Sequence, residues 1–277
     1  MDALAPCLLL LLLLLALPLH LLDLLGCWQP LCKAYFPYLM ARLTALTNKK
    51  IEGKKRDLFS QIKDLKVTSR KVALLELGCG TGANFQFYPP GCKVTCVDPN
   101  PNFEKFLTKS MAENRHLEYE SFVVAYGEDM RELADSSMDV VVSTLVLCSV
   151  QSPKKVLQEI RRVLKPDLLR HPCREATQVC KSGQEVLWRM TAGQPDLPAG
   201  GVLFFWEHVA EPRESLAFLW QRLFEPTWKR FGDGCHLTRE TWKDIERAQF
   251  SDVQMEWQPP LFRCLPVGPH IMGKAVK

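Results

Sequence analysis

Apolar residues recur along this chain in three rhythms. The first is unbroken: residues 3–19 carry no charge, and residues 8–15 are eight consecutive leucines. A run with no polar face does not suit an amphipathic core helix, so it reads as a membrane anchor. The second rhythm is the short continuous run: VALLEL (72–77), CKVTCVD (92–98), YESFVVAYG (119–127), MDVVVSTLVL (138–147) and GVLFFWEH (201–208). VALLEL reads as a buried strand, and the other runs as strands. The third is helical. PNFEKFLTKSMAEN sets Phe103, Phe106, Leu107 and Met111 on one face, and SPKKVLQEIRRVLK opens with Ser152 as cap and Pro153 in the first turn. Residues 83–90 predict a short helix ended by Pro89 and Pro90. Strands alternating with helices predict an α/β fold with a doubly wound, mostly parallel sheet.

Charge sharpens the division of the chain. The net charge of +4 is too small to imply nucleic acid. Between residues 28 and 71, however, eleven Lys/Arg face three acids, directly after the leucine run. We therefore expect a hydrophobic anchor at 1–28, a basic amphipathic membrane-proximal linker at 29–70 and an enzyme-sized domain at 71–277. A cleaved signal peptide fits poorly, because Asp2 is the one charge before the apolar run. A spanning anchor would leave the basic side in the cytosol; a monotopic anchor would add the Trp, Tyr and Lys/Arg of CWQPLCKAYFPYLMARL at the interface. Both remain open. Eleven cysteines without a CxxC pair or zinc-type histidine spacing predict reduced thiols and no metal site.

The chemistry centres on LELGCGTG (75–82). A glycine turn after the first strand lies at the carboxyl edge of a doubly wound sheet, where cofactors bind, and glycine lets a ligand touch the backbone. Asp98 ends the second strand twenty residues after Gly78, a spacing suited to a ribose hydroxyl. A dinucleotide and a nucleoside-type methyl donor satisfy this equally. Glu76, two residues before Gly78, favours a cationic cofactor, since it would repel a pyrophosphate. Gly127, Glu128 and Asp129 follow the third strand, where an adenine edge could be read. Each residue also has a plainer reading: turn glycines for Gly78 and Gly80, a helix N-terminal acid for Asp98, a strand-end charge for Glu76, a solvated loop for Asp129.

Together, LLELGCGTG, VTCVDPN, GEDMRELADSSMDVVVSTLVL and EIRRVLKP…GGVLFFWEH resemble the class I S-adenosylmethionine-dependent methyltransferases over about residues 70–166 and 200–277. The leucine-rich start, LLGCWQPLCKAYFPYLM, TLVLCSVQSP and PVGPHIMGKAVK are similar to the mammalian membrane-bound alkyl-thiol methyltransferases of the methyltransferase-like seven group. That resemblance implies a seven-stranded sheet with an antiparallel final hairpin, S-adenosylmethionine held by Glu76, Gly78, Gly80, Asp98, Glu128 and Asp129, and methylation of hydrophobic or small thiols. It also implies attachment to the endoplasmic reticulum membrane and lipid droplets with the catalytic domain facing the cytosol. The alternative is a non-catalytic membrane or lipid-droplet protein that retains the fold.

After the fourth strand, LVLCSV offers no charged base, which suits a soft sulfur nucleophile in an apolar pocket. Leu147, Cys148 and Glu207 are expected at the substrate pocket, with Cys148 as wall because direct transfer needs no enzyme nucleophile. His208 is the candidate to accept the thiol proton, beside the plainer reading of a structural histidine. SLAFLWQRLFEPTW (215–228) spaces Leu216, Leu219, Trp220, Leu223 and Phe224 as a core stripe or a lid. Residues 167–199 interrupt the path from RRVLKP to GGVLFF without clear periodicity. They read either as a regulatory insert or as the product of an alternative or mispredicted splice.

Overall fold

The computed structural model describes residues 17–65, 71–166, 200–261 and 265–277. The leucine run and the 167–199 segment lie outside them, so the expectations for both stand on sequence alone. Among the described residues no helix is long and apolar enough to cross a membrane.

Seven strands form one sheet: β1 (Val72–Leu77), β2 (Cys92–Val97), β3 (Glu118–Val123), β4 (Val140–Thr144), β5 (Val202–His208), β6 (Asp252–Gln258) and β7 (His270–Val276). Their order is β3-β2-β1-β4-β5-β7-β6, with β7 antiparallel to both β5 and β6. The other pairings are parallel. The expected doubly wound sheet and its antiparallel hairpin are therefore present. The central strands are buried almost throughout, as their unbroken apolar runs require.

The helices are α1 (Trp28–Ser60), α2 (Glu104–Glu113), α3 (Pro153–Val163), α4 (Leu216–Phe231) and α5 (Thr241–Arg247). Ser152 caps α3, its side chain accepting from Lys155 N, and Pro153 occupies the first turn. The predicted helix near 83–90 is a single 3₁₀ turn, Phe85–Phe87. Apolar side chains pack on both faces of the sheet, one layer beneath α3 and α5 and one beneath the end of α1.

The basic stretch after residue 28 is helical through Ser60, kinked at Ile51. It belongs to the folded body: Asn100 and Asn102 donate to Lys33 O, and Trp28 Nε1 donates to Arg230 O. Helical residues at 17–24 precede it, tied to α4 by Arg230 donating to Asp23 at 2.6 Å.

Lys165 and Gly201 bracket the 167–199 segment. Gly201 N donates to Lys165 O at 2.9 Å, so the chain leaves and re-enters the fold at one point. That point is the amino end of β5, opposite the glycine turn.

Candidate active site

A cavity of about 860 Å³ opens at the carboxyl edges of β1, β2 and β4. One wall is α1, which contributes Gln29, Lys33, Phe36, Met40, Thr44, Thr47, Ile51 and Lys55. These positions lie three or four apart, so they form one stripe along the helix. The stripe is partly polar, which hides it from a hydrophobic pattern.

The glycine turn forms the floor. Gly78, Gly80 and Gly82 all have positive φ, at +59°, +51° and +72°. A Cβ on Gly78 would lie 2.3 Å from Val146 Cγ2, so only glycine admits this approach of the β1 and β4 loops. Asp98 meets the turn from β2. Its Oδ2 accepts Gly80 N at 3.1 Å and its Oδ1 accepts Asn100 N at 2.9 Å. Burial pushes its carboxyl up to about 6, against the opposing effect of those two N–H donors. Each carboxylate oxygen retains acceptor capacity toward the cavity that Asp98 lines.

Glu76, one residue before the end of β1, sits in a buried polar relay. Asn84 Nδ2 donates to Glu76 Oε1 at 2.7 Å and to Thr144 Oγ1 at 3.0 Å, while Lys55 Nζ donates to Asn84 Oδ1 at 2.7 Å. Lys55 also donates to Asn48 Oδ1. Burial raises Glu76 to about 8 and lowers Lys55 to about 8. Glu76 Oε2 has no hydrogen-bond partner among the described residues, although Glu76 lines the cavity. A buried carboxyl oxygen left open beside positive-φ glycines fits a cationic ligand group, whose charge would draw the carboxyl into its ionised form.

The remaining expected site residues scatter. Glu128 lines the cavity, but its Oε1 accepts Gln151 N and Ser152 N and so holds the start of α3. Asp129 pairs with Arg131 outside the cavity lining. Leu147 and Cys148 are buried behind the wall, where Leu145, Val146, Ser149 and Val150 face the cavity. Glu207 is also buried behind it, accepting Ser143 Oγ at 2.7 Å and Leu147 N at 3.1 Å, and so braces the β4 turn. Leu145 in that turn has a φ of +59°, a strained conformation for a non-glycine residue.

His208 does not line the cavity either. Its Nε2 lies 3.0 Å from Cys235 Sγ, and burial lowers its pKa to about 3. The histidine that does line the cavity is His236, on the loop after α4. Its Nδ1 sits 2.9 Å from Glu225 Oε1, and Thr238 N and Oγ1 also donate to Glu225. Burial works against the Glu225 charge, yet these bonds hold its carboxyl below the usual range. If Nδ1 carries the proton given to Glu225, Nε2 is the free base. Nothing in the sequence around His236 marks this role; the pairing depends on α4 folding back on its own following loop.

The first part of the α4 stripe faces outward: Leu216, Leu219 and Trp220 are exposed, while Leu223 and Phe224 are half-buried and Gln221 is buried and donates to Val209 O and Pro266 O. The core reading of those three positions is therefore corrected. Helical register turns them away from the sheet when Gln221 turns in.

Residues 75–167 match the family model described as a methyltransferase domain. The chain is 72% identical over 277 residues to thiol S-methyltransferase TMT1B of Rattus norvegicus, covering all of both chains. It is 48% identical to thiol S-methyltransferase TMT1A of Homo sapiens, over 92% of this chain and 91% of that one. Among solved structures, the CurJ carbon methyltransferase superposes with a TM-score of 0.54 at 17% identity, over 88% of this chain and 61% of that chain, a likeness of fold.

Proposed function

This chain belongs to the thiol S-methyltransferase family of S-adenosylmethionine-dependent methyltransferases, and we propose that it methylates the sulfur of small or alkyl thiols at a membrane surface. One observation carries the reading. A single cavity is lined both by a cradle suited to a cationic nucleoside, Asp98 with the Gly78–Gly80 turn and Glu76, and by His236, whose ring pairs with Glu225 and is suited to take a thiol proton.

Asp98 would accept the ribose hydroxyls, and Glu76 Oε2 the ammonium of the methionine part, beside the backbone of Gly78 and Gly80. When bound, S-adenosylmethionine supplies an electrophilic methyl group whose transfer to a thiolate destroys charge, which a dry wall does not oppose. His236 would take the thiol proton, with Glu225 orienting the ring and stabilising the imidazolium. Leu145, Val146 and Val150 line the cavity and would border the sulfur with apolar surface.

The membrane setting has separate support. Leu17, Leu21, Leu24 and Leu25 are exposed on the segment leading into α1, and Leu219 and Trp220 are exposed on α4, to which that segment is tied. Apolar faces of this kind suit an interface. We propose attachment to the endoplasmic reticulum and lipid droplets, facing the cytosol, with α1 connecting the attached segment to the cavity.

The test is methyl transfer from labelled S-adenosylmethionine to a small alkyl thiol by the full chain, beside Asp98→Ala. Methylated thiol from the first and none from the second supports the reading. Cofactor binding without methylation of any thiol offered would overturn it and return the non-catalytic alternative.

A further inference from the structure

Three side chains behind the cavity wall bring two thiols and an imidazole together. Cys148 follows β4, His208 is the last residue of β5, and Cys235 follows α4. Cys148 Sγ lies 3.5 Å from Cys235 Sγ, and His208 Nε2 lies 3.0 Å from Cys235 Sγ. All three ligand atoms fall within 4.8 Å of one another, and all three residues are buried. We propose that Cys148, His208 and Cys235 form a three-ligand site for a thiophilic divalent cation, zinc by preference, with one coordination position left for an exogenous ligand.

The distances support this. With Zn–S of about 2.3 Å and Zn–N of about 2.0–2.1 Å, tetrahedral ligands stand about 3.8 Å (S to S) and 3.5 Å (S to N) apart. The observed separations are shorter by a few tenths of an ångström, as weakly hydrogen-bonded groups would be before an ion parts them. Charge balances as well. A divalent ion displaces the protons of both thiols, and two thiolates with a neutral imidazole leave a site of no net charge, suited to burial.

The site is also built in advance. Gly234 has a φ of +89°, and a Cβ there would lie 2.9 Å from Ser149 O, so the two cysteine loops touch through a glycine. His236 N donates to Cys148 O at 2.9 Å. Arg239 Nη1 donates to the carbonyls of Leu147, Cys148 and Val150, while Glu207 holds Leu147 N. Core packing alone does not call for this set. His208 Nδ1 has no partner among the described residues, so the thiol side is the one polar engagement of the ring. The loop neighbours Ser149, Gly234 and His236 line the cavity, which places the site against its inner wall. Sequence spacing hides it, since the ligands are 60 and 27 residues apart rather than in a CxxC pair.

The test uses the full chain, purified without chelator from zinc-supplemented cells, with metal content measured by mass spectrometry and then by cobalt substitution. We expect about one zinc per chain, and in the cobalt form thiolate charge-transfer bands with tetrahedral d–d absorption. Cys235→Ser should lose those bands, and Cys92→Ala, at another buried thiol, should keep them. Metal below about 0.1 per chain after dialysis against zinc, where the three-ligand site would fill, overturns the proposal. So does a cobalt spectrum that Cys235→Ser leaves unchanged, or a metal-free Cys148–Cys235 disulfide in the purified chain. Because metal is read without substrate, this result is independent of whether any thiol is methylated.

Discussion

Asp98 Oδ2 accepts the backbone N–H of Gly80 at 3.1 Å, so the end of β2 and the glycine turn after β1 are set as one unit. In the proposed reading, the cofactor's ribose and its backbone cradle would thus be coupled through one carboxylate. Asp98→Asn should weaken S-adenosylmethionine by about 10- to 150-fold, from the loss of roughly 1.5–3 kcal/mol of charge-assisted hydrogen bonding. Calorimetric titration of the full chain checks this; a change under threefold would remove Asp98 from the cofactor site.

The pH dependence follows from the raised carboxyl. Asp98 sits near 6 in the fold against 3.8 unperturbed. Below about 6 it is protonated and a poorer acceptor for ribose hydroxyls, so cofactor affinity should fall toward tenfold per pH unit. Stability runs the other way. A raised folded pKa contributes stability below the unfolded value, and that stability is lost as pH rises through about 6. In the parent without cofactor, this group's contribution should therefore be smaller at pH 7.5 than at pH 5, while Asp98→Asn, whose amide offers an acceptor to only one of the two backbone N–H donors, should lose the upward shift that cofactor gives. Thermal melts from pH 5 to 8, with and without cofactor, test both signs.

His236→Gln should lower turnover of a thiol by about 10²–10⁴ near pH 7 while leaving cofactor affinity unchanged. Part of the loss should return at high pH, where the substrate thiol ionises without help. Glu225→Gln should move the same pH profile, because the imidazolium loses its carboxylate. A flat profile in both variants would show that His236 is a wall residue.

Gly78→Ala should destabilise the protein by about 1–3 kcal/mol, from positive φ and from a methyl driven into Val146. Combining it with Val146→Ala should recover the steric share and leave the conformational share. Denaturant midpoints of the three chains separate the two.

Joining Pro166 to Gly200 removes residues 167–199. Since Gly201 N already bonds Lys165 O, the shortened chain should keep the β5 register, melt at or above the parent temperature and bind cofactor equally. A large loss of folded signal would mean that the segment is needed for the fold.

Several features were legible in the residues themselves. Unbroken apolar runs such as VALLEL and VLFFWEH stayed buried strands, and Ser152-Pro153 started a helix, because burial and capping depend on a few neighbouring residues. Asp98 could be paired with Gly78 by counting, because adjacent parallel strands carry their carboxyl ends to one edge. The outward turn of Leu219 and Trp220 was not legible, because an apolar stripe states that a face avoids water and not what it meets.

The sequence by itself determined the five strands β1 to β5, the glycine turn and the acid beside it, since these rest on local backbone freedom and short-range spacing; the pattern did not mark β6 and β7. Only the tertiary structure decided that α1 walls the cavity, that His236 rather than His208 faces it, and that Cys148, His208 and Cys235 converge. Those contacts join residues far apart in the chain. They are chosen by the order of strands in the sheet and by the packing of loops upon it, which no local pattern encodes.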